Sequence, residues 1–328
     1  MRVLITGGAG FVGRWFSNQL LRGGHDVTIV DNLVESGGGL PLEAWEMHSS
    51  VISHDPPRFI EADCREFFTA ASARGPWDLT IHLAAVVGGR RVIERNPLAV
   101  AEDLAIDSDF WRYVEKTDVG AVLHYSSSAA YPVALQDGKE VSGGLTEDLI
   151  DFHSSIGVPD LSYGWAKMTS EYLAFLLSQQ SQKKIVNFRP FSGYGEDQDM
   201  AYPFPSIIAR AIRFARGEEK EMYVWGSGLQ TRDFIHISDV IAMSLQALRV
   251  VPSGTTLNLG TGVPTSFLRL AQMALSAVNQ EGTVATRTDE PEGVKSRFAD
   301  TSLARSFGLE ASVSLQEGIS RAVAFLSR

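Results

Sequence analysis

The sequence predicts an α/β fold built on a doubly wound parallel sheet, with a smaller C-terminal α/β region. Two observations predict it. Short apolar runs rich in β-branched residues alternate with amphipathic segments of helical period, as in parallel strands joined by crossover helices. The first such run, Arg2–Thr6, leads directly into a glycine-rich turn and an amphipathic segment over Phe11–Leu21.

The glycine-rich turn has the spacing G-x-x-G-x-x-G, with glycines at 7, 10 and 13. Gly7 can take backbone angles closed to other residues, Gly10 lets a diphosphate approach the backbone, and Gly13 allows close helix–strand packing. Phe11 and Val12 begin the helix, whose free N–H groups attract an anion. The pattern therefore predicts a Rossmann-type dinucleotide site.

The second strand, Val27–Val30, ends at Asp31, about twenty residues after the glycines. A carboxylate at this place can hydrogen-bond both hydroxyls of an adenosine ribose and repels a 2′-phosphate. Asn32 and Leu33 follow, so no adjacent Arg would neutralise such a phosphate. We therefore expect NAD rather than NADP.

Further strands are predicted at Arg58–Asp63, Thr80–Ala85, Ala121–Tyr125 and Ile185–Arg189. Ligands of such sheets bind beyond the carboxyl ends of the strands. Asp63 could accept the adenine amino group or cap the following helix. The cofactor contacts expected at this edge, besides the glycine turn, Asp31 and Asn32, are Asp63, Cys64, Leu83, Ala84, Ala85, Ser126 and Pro190.

Helices are predicted near Leu42–His48, at Pro97–Tyr113 and at Tyr163–Leu177. The second of these carries four carboxylates, which we interpret as a solvated acidic face: Glu102, Asp103, Asp107 and Asp109. His82, inside a predicted strand, is expected to be structural.

A chain of 328 residues fits one large domain and a smaller one. We expect an NAD-binding domain over residues 1–189, with returning segments near 230–262, and a substrate-binding region over residues 190–328. One strand of the returning part is predicted at Leu257–Gly260.

Composition limits the classes of partner and compartment. The formal net charge of −10 argues against nucleic acid, and a single cysteine excludes an intrachain disulfide. We find no secretion signal and no apolar run long enough for a membrane span, and we expect a cytoplasmic enzyme without a metal site.

Tyr163 and Lys167 are four residues apart, which places a phenol and an ammonium on one helix face. A phenol ionises near pH 10, too high for a base at neutral pH. A neighbouring cation and an oxidised nicotinamide both stabilise the phenolate, so we expect the pKa of Tyr163 to fall. A serine at the end of the fifth strand could hydrogen-bond the hydroxyl that is oxidised.

The chain resembles the extended short-chain dehydrogenases/reductases of the NAD-dependent nucleotide-sugar epimerase/dehydratase family. The resemblance implies bound NAD, a nucleotide-diphosphate sugar, transient sugar oxidation, often at C4, and a homodimer through the helix that bears Tyr163. The matching segments are Thr6–Gly13, Asp31–Leu33, His82–Ala85, Ser126–Tyr131, Tyr163–Lys167, Arg189–Pro190, Arg232–His236 and Asn258–Gly262.

Two segments resemble the GDP-fucose synthase and GDP-mannose 3,5-epimerase branch: Val87–Gly89 and Ser127–Pro132. This match implies that Ser127 is the catalytic serine, but Ala129 stands where that branch carries its acid/base cysteine. Dehydratases and decarboxylases carry a carboxylate just after the serine, where this chain has alanines. By elimination, 4-epimerisation remains, because this reaction needs only Tyr, Lys, Ser and NAD.

Several alternatives stay open. A dehydratase, a decarboxylase or a 3,5-epimerase could use an acid from elsewhere, such as Asp199 or His153. A non-catalytic NAD-binding regulator is a further alternative, and the intact Tyr163–Lys167 pair argues against it.

Substrate contacts are expected from two arginines, Arg232 and Arg297, which suit a diphosphate because guanidinium pairs with phosphate oxygens bidentately. Arg90, beside Arg91, could meet a uronate carboxylate. Ser192 stands where many family members have a diphosphate-binding asparagine. The remaining expected contacts are Val87, Gly88, Ser127 and Ser128, while Tyr194 and Phe204 are candidates for the base pocket and Trp225 is expected in the core.

Overall fold

The computed structural model describes residues 1–34, 38–45, 56–70, 73, 75–86, 94, 96–138, 143–288 and 293–328. Its strands are β1 (Arg2–Thr6), β2 (Asp26–Asp31), β3 (Arg58–Glu61), β4 (Trp77–His82), β5 (Val119–Tyr125), β6 (Lys184–Pro190), β7 (Ser192–Tyr194), β8 (Met222–Trp225), β9 (Thr231–His236), β10 (Thr255–Leu259), β11 (Pro264–Ser266), β12 (Val284–Arg287) and β13 (Ser296–Arg297).

The α-helices are α1 (Phe11–Arg22), α2 (Cys64–Thr69), α3 (Val100–Lys116), α4 (Leu161–Gln180), α5 (Pro203–Ala215), α6 (Ile237–Val250), α7 (Phe267–Ala277), α8 (Ser302–Ser306) and α9 (Leu315–Leu326). Short 3₁₀ turns lie at Leu42–Ala44, Pro97–Ala99, Ser128–Ala130, Val133–Gln136 and Glu147–Leu149.

The predicted Rossmann-type α/β fold is confirmed. Within the described residues, seven strands form one parallel sheet in the order β10-β6-β5-β4-β1-β2-β3. Val3, Leu4 and Ile5 of β1 are fully buried, as expected for a strand covered by helices on both faces. The strand order reverses at β1, whose neighbours are β2 and β4, and this creates the crevice where such sheets bind ligands.

Helices cover the two faces of this sheet with separate apolar cores. On one face, Phe16 and Leu20 of α1 pack with Val240 and Met243 of α6. On the other face, Phe67 of α2 joins Phe110 and Val114 of α3 and Ala174 of α4. The arrangement is the doubly wound pattern that the alternating sequence predicts.

A smaller region packs around its own apolar core, in which α5, α7 and α9 contribute Ile208, Leu270 and Ile319. Within the described residues, β9 pairs with β7, β11 and β13, while β8 pairs with β12. Of the segment near 230–262 that was expected to return to the first domain, β10 lies in the large sheet and β9 in the smaller one.

Several element boundaries differ from the predictions. β4 ends at His82, so Leu83, Ala84 and Ala85 follow the strand instead of belonging to it. The segment predicted as a helix near Leu42–His48 begins with a 3₁₀ turn at Leu42–Ala44, and residues 46–48 lie outside the described residues.

The interpretation of α3 as a helix with a solvated acidic face is wrong for two of its four carboxylates. Asp103 and Asp107 are each only 2% exposed, whereas Glu102 is exposed and Asp109 is half-buried. The physical reason is that α3 packs against both α2 and α4, so charged positions face a neighbouring helix instead of water.

None of the described helices combines the length and apolar character that a membrane span requires. In the same part of the chain, no group of three or more His, Cys, Asp or Glu side chains is placed to hold a metal ion.

A buried ion pair joins the end of β6 to α4. Arg189, 1% exposed, donates to both carboxylate oxygens of Glu171, which is equally buried. Arg189 also donates to the Tyr131 hydroxyl at 3.1 Å and to the Glu147 carbonyl at 2.8 Å. The guanidinium therefore ties the helix that bears Tyr163 to the sheet and to the segment after β5.

We predict that Glu171→Gln lowers the free energy of unfolding by about 3–5 kcal/mol, because it leaves a buried guanidinium without its counter-ion. Urea denaturation followed by circular dichroism measures this loss. The matched control is Glu221→Gln, which removes the partner of Arg287 in an exposed pair and should cost about 0–1 kcal/mol. Equal losses for the two variants would contradict the structural role of Arg189.

Candidate active site

The glycine-rich turn lies at the switch point of the sheet and has no space for side chains at two of its glycines. Gly7 has φ +70°, and a Cβ there would lie 2.5 Å from the Ala84 nitrogen. A Cβ at Gly13 would lie 2.5 Å from the Gly7 carbonyl oxygen. Gly10 precedes α1 without a side-chain cap, and the first helical turn contains no acidic residue. The turn thus fits a dinucleotide diphosphate at the N-terminus of the helix.

Asp31 ends β2 beside this turn, and its carboxylate is held in place by backbone groups. Its Oδ2 accepts from the Ala9 nitrogen at 3.0 Å and its Oδ1 from the Leu33 nitrogen at 2.9 Å. Asn32 is exposed between them. The half-buried carboxylate therefore lies where an adenosine ribose would follow a diphosphate bound at the turn, which fits NAD.

Asp63 caps α2, as the alternative interpretation of the sequence allowed. It accepts from the Arg65 nitrogen at 2.8 Å and pairs with the Arg65 guanidinium at 2.7 Å. The hydrogen bond from Arg65 lowers the pKa of Asp63. The adenine contact of Asp63 stays a prediction. Burial raises the pKa of the neighbouring Cys64 thiol to about 12, so it is a packing residue and no nucleophile at neutral pH.

The turn that follows β5 brings the predicted serine to α4. Ser127 Oγ accepts from the Ala129 nitrogen at 3.1 Å and caps the 3₁₀ turn Ser128–Ala130, while Ser126 Oγ donates to the Lys167 carbonyl. A Cβ at Gly164 would lie 2.3 Å from the Ala129 carbonyl oxygen. The helix can approach the serine turn this closely only because residue 164 is glycine, a requirement that the sequence analysis missed although Gly164 lies between Tyr163 and Lys167.

Tyr163 and Lys167 lie together at this contact. Lys167 Nζ is 5.8 Å from the centroid of the Tyr163 ring, and Lys167 is 5% exposed. Burial raises the pKa of Tyr163, whereas the charge of Lys167 and a hydrogen bond with Ser127 lower it, and the net shift is upward. In the protein chain without the cofactor, burial therefore outweighs Lys167. The expected fall in this pKa also depends on an oxidised nicotinamide and stays a prediction for the enzyme with NAD bound.

Two buried carboxylates of α3 face this pair, and the sequence analysis did not predict them as part of the site. Asp103 Oδ1 accepts from the Val86 nitrogen at 2.5 Å, next to Ala84 and Ala85. Asp107 Oδ1 lies 3.0 Å from His82 Nε2. Burial raises the pKa of Asp103 to about 6, although Lys167 opposes the rise. Burial also acts on Asp107, but Lys167 and His82 hold its pKa well below the usual range.

The two arginines predicted for the diphosphate are neighbours, because Arg297 of β13 is in register with Arg232 of β9. Arg232 donates to the carbonyls of Thr231 and Val294, at 2.7 and 2.9 Å. Arg297 pairs with Asp160, directly before α4, at 2.6 Å and donates to Gln136 Oε1. The structure thus brings the arginines together and links one of them to the helix that carries Tyr163.

Other predicted substrate residues are placed differently. Ser192 begins β7 and is half-buried, and Pro190 ends β6. Tyr194 and Phe204 were candidates for the base pocket, but both are buried in the core of the smaller region with ring centroids 4.1 Å apart. Trp225, expected in the core, is 42% exposed. Val87, Gly88, Arg90 and Arg91 lie outside the described residues.

Comparison with known proteins assigns the family. A model of the NAD dependent epimerase/dehydratase family matches residues 3–260. The chain belongs to this family. It is accordingly an NAD-dependent enzyme, and its glycine turn and Asp31 are consistent with that cofactor.

Relatives of this family member have several different activities. One is a dTDP-4-dehydro-6-deoxy-D-allose reductase of Streptomyces sp, 27% identical over 312 residues, covering 92% of this chain and 88% of the relative. Another is UDP-glucuronic acid decarboxylase 1 of Danio rerio, 28% identical, covering 100% of this chain and 73% of the relative. A solved structure of a UDP-glucuronic acid 4-epimerase from Bacillus cereus, with UDP-glucuronic acid and NAD, superimposes with TM-score 0.80 at 24% identity over 100% of this chain and 99% of that one.

We predict that Asp103→Asn stabilises the protein at neutral and alkaline pH. A carboxyl whose pKa is raised on folding binds its proton more tightly in the folded state, so its ionisation destabilises the fold. The penalty appears between about pH 4 and pH 6 and amounts to about 1–3 kcal/mol above that range. Asn retains an oxygen that can accept from the Val86 nitrogen.

Urea denaturation at pH 4 and pH 8 measures this effect. The stability gain of Asp103→Asn should be present at pH 8 and nearly absent at pH 4. Asp109→Asn, a half-buried control on the same helix, should show no such dependence. A loss of stability at pH 8 for Asp103→Asn would show that its carboxylate is a net stabilising group.

Proposed function

We propose that this family member is a nucleotide-sugar 4-epimerase, which inverts C4 of an NDP-hexose or NDP-uronate by transient oxidation. The observation that carries the proposal is the meeting of Ser127, Tyr163 and Lys167 at a turn in which Ser128 is followed by two alanines. Ala129 and Ala130 are 7% and 0% exposed, and the family resemblance implies that a dehydratase, a decarboxylase or a 3,5-epimerase would need a second acid at this turn. Chemistry that requires only these three residues and NAD is favoured.

Each of the three side chains has a distinct task in this proposal. Tyr163 accepts the proton of the sugar C4 hydroxyl and later returns it. Lys167 stabilises the phenolate by its charge, and Ser127 hydrogen-bonds the oxygen on which charge develops. NAD, when bound, accepts the hydride and gives it back. The cofactor is therefore unchanged over a complete turnover.

Recognition of the diphosphate is assigned to Arg232 and Arg297. Parallel strands in register direct equivalent side chains to the same face of a sheet, so the two guanidiniums can act on one anion. Ser192 is a further contact in the proposal. Val87, Gly88, Ser128 and Arg90 are proposed to contact the sugar, with Arg90 available for a uronate carboxylate.

The alternative activities each need an additional acid. His153 is a poor candidate because its ring packs against Phe175, twelve residues after Tyr163 and about 18 Å further along α4. Asp199 is exposed. Burial is the main cause that raises the pKa of Tyr202, and the charges of Tyr163 and Asp199 raise it further. Of these two acids, Asp199 is therefore the better candidate for a dehydratase, decarboxylase or 3,5-epimerase of this fold.

The proposal predicts conversion without net redox change. Purified protein with substoichiometric NAD should convert UDP-glucose, UDP-glucuronic acid, GDP-mannose or dTDP-glucose to its C4 epimer, with no loss of water or CO₂ and no accumulation of NADH. Tyr163→Phe should lower kcat by about 10²–10⁴-fold and retain NAD, because it removes only the proton acceptor. Mass spectrometry and absorbance at the NADH band measure these outcomes.

Tyr223→Phe is the matched control, since Tyr223 lies on β8 and belongs neither to the group of Ser127, Tyr163 and Lys167 nor to the exposed aromatic residues of α4. Stoichiometric NADH consumption would identify a reductase, and release of CO₂ or water a decarboxylase or dehydratase. Turnover of Tyr163→Phe near the wild-type rate would remove the catalytic assignment. If none of these sugars reacts and the protein forms a stable complex with a partner protein, the alternative of a non-catalytic NAD-binding regulator would be favoured.

The homodimer is part of the proposal and is supported by exposed aromatic residues. Trp165 and Tyr172 are seven residues apart on α4 and 46% and 41% exposed, and Leu104 of α3 is 39% exposed. Apolar side chains in such a group mark an interaction surface. The two helices that carry them would pack against the same helices of a second copy.

We predict that Trp165→Asp converts a dimer to a monomer, because it places a charge in the centre of this surface. Light scattering coupled to size-exclusion chromatography measures the mass. Leu229→Asp, at a 70% exposed position of the smaller region, should leave the mass unchanged. A wild-type protein that elutes as a monomer would exclude this assembly.

A further inference from the structure

Helices α3 and α4 each carry a pair of residues that are four positions apart. Asp103 and Asp107 are four apart on α3, and Tyr163 and Lys167 are four apart on α4, so each pair occupies one helix face. The two helices pack together. Lys167, Asp103 and Asp107 are 5%, 2% and 2% exposed. An ammonium and two carboxylates are thus enclosed beside Tyr163.

A buried ammonium loses its hydration and stays charged only if anionic groups replace the lost water. Burial opposes the charge of Lys167, but the carboxylate of Asp107, the Tyr163 phenol and the carboxylate of Asp103 together raise the pKa of Lys167 above its usual value. In return, Lys167 keeps Asp107 ionised despite its burial. The charges of the two residues therefore depend on each other.

Asp107 is fixed by a hydrogen-bonded chain that reaches the cofactor strand. His82 Nε2 lies 3.0 Å from Asp107 Oδ1, and His82 Nδ1 lies 2.6 Å from Thr6 Oγ1, one residue before the glycine turn. Phe110 stacks on the His82 ring at 3.8 Å. Asp107 Oδ2 has no hydrogen-bond partner among the described residues, so Lys167 acts on this carboxylate through its charge and not through a hydrogen bond.

The histidines around Lys167 do not supply a positive charge that would neutralise the carboxylates of Asp103 and Asp107. Burial lowers the pKa of His82 on β4, and it lowers the pKa of His124 on β5 to about 4, so both imidazoles are neutral at working pH. His124 is held by Ser170 at 2.8 Å and by Asn187. Among the described residues, Lys167 is the cation that acts on both Asp103 and Asp107, whereas Glu102 of the same helix pairs with Arg65.

We propose that Asp107, assisted by Asp103, is the counter-ion that keeps Lys167 protonated beside Tyr163, and that both carboxylates are positioning residues for the chemistry of Tyr163. The inference deepens the proposed function and rests on it. Ionisable groups with strongly shifted pKa values cluster at functional sites, and the buried Asp103 carboxyl is such a group. Because both carboxylates also oppose ionisation of Tyr163, they limit how far Lys167 activates it.

The test is the titration of Lys167 in Asp107→Asn. Protein labelled with ¹³C at the lysine ε-carbon reports each ammonium by its chemical shift, and Lys167→Arg identifies the signal. Removal of an opposite charge from this buried group should lower the titration midpoint of Lys167 by about 1–3 units relative to wild type. With an active substrate, the alkaline limb of kcat against pH should move in the same direction.

Asp109→Asn is the matched control, because it removes the same charge from the same helix at a half-buried position that lies outside this group. Asp103→Asn should give a smaller shift in the same direction as Asp107→Asn. A Lys167 titration in Asp107→Asn that superimposes on wild type would overturn the proposal. Should Asp107→Asn fail to fold, an unchanged titration in Asp103→Asn would overturn it instead.

The NMR titration requires no substrate and therefore separates the two proposals. A chain that epimerises no nucleotide sugar but shows the shifted Lys167 titration would reject the proposed function and retain the counter-ion assignment. A chain that epimerises a nucleotide sugar but shows an unshifted Lys167 titration would retain the proposed function and reject the counter-ion assignment.

Discussion

The site depends on how the charge of Lys167 is stabilised. The Lys167 side chain is enclosed between two helices and the end of the sheet. An ammonium in that place requires carboxylates, and Asp103 and Asp107 of α3 supply them. It also requires that α4 lie close to the turn after β5, which Gly164 permits. The same contact places Ser127 against Tyr163. One arrangement of the helices therefore provides both the close packing of α4 on the turn after β5 and the carboxylates near Lys167.

The topology of the sheet determines where this arrangement meets the cofactor turn. Because β1, β4 and β5 are neighbouring parallel strands, the glycine turn, the residues after β4 and the serine turn after β5 share one edge. The chain from Asp107 through His82 to Thr6 crosses β4 and β1 beneath that edge. Helix α3 and the strand that leads into the glycine turn are thus connected through buried polar side chains, which tolerate little displacement because each must keep its partner.

Features encoded by local pattern were predictable, and features set by packing were not. The fully buried β1, the glycine turn and the return of β10 to the large sheet follow from apolar runs and glycine spacing, which the sequence shows directly. The burial of Asp103 and Asp107 could not be predicted, because carboxylates on a helix ordinarily face water and only the position of α4 reverses this. Tyr194 and Phe204 likewise became core residues, and Trp225 became exposed, through contacts between distant segments. The pairing of Arg297 with Asp160 joins two distant residues that no sequence motif links.

The central claim is that the Tyr163–Lys167 pair supports reversible removal of hydrogen from C4 of a nucleotide sugar. Incubation of the enzyme with UDP-glucose or UDP-glucuronic acid deuterated at C4 tests it most directly, with mass spectrometry and NMR of the product. The account predicts that the epimer retains the deuterium at C4, because the hydride that leaves is the one that returns. Loss of the deuterium to solvent, or uptake of solvent deuterium at C3 or C5 by unlabelled substrate, would contradict it.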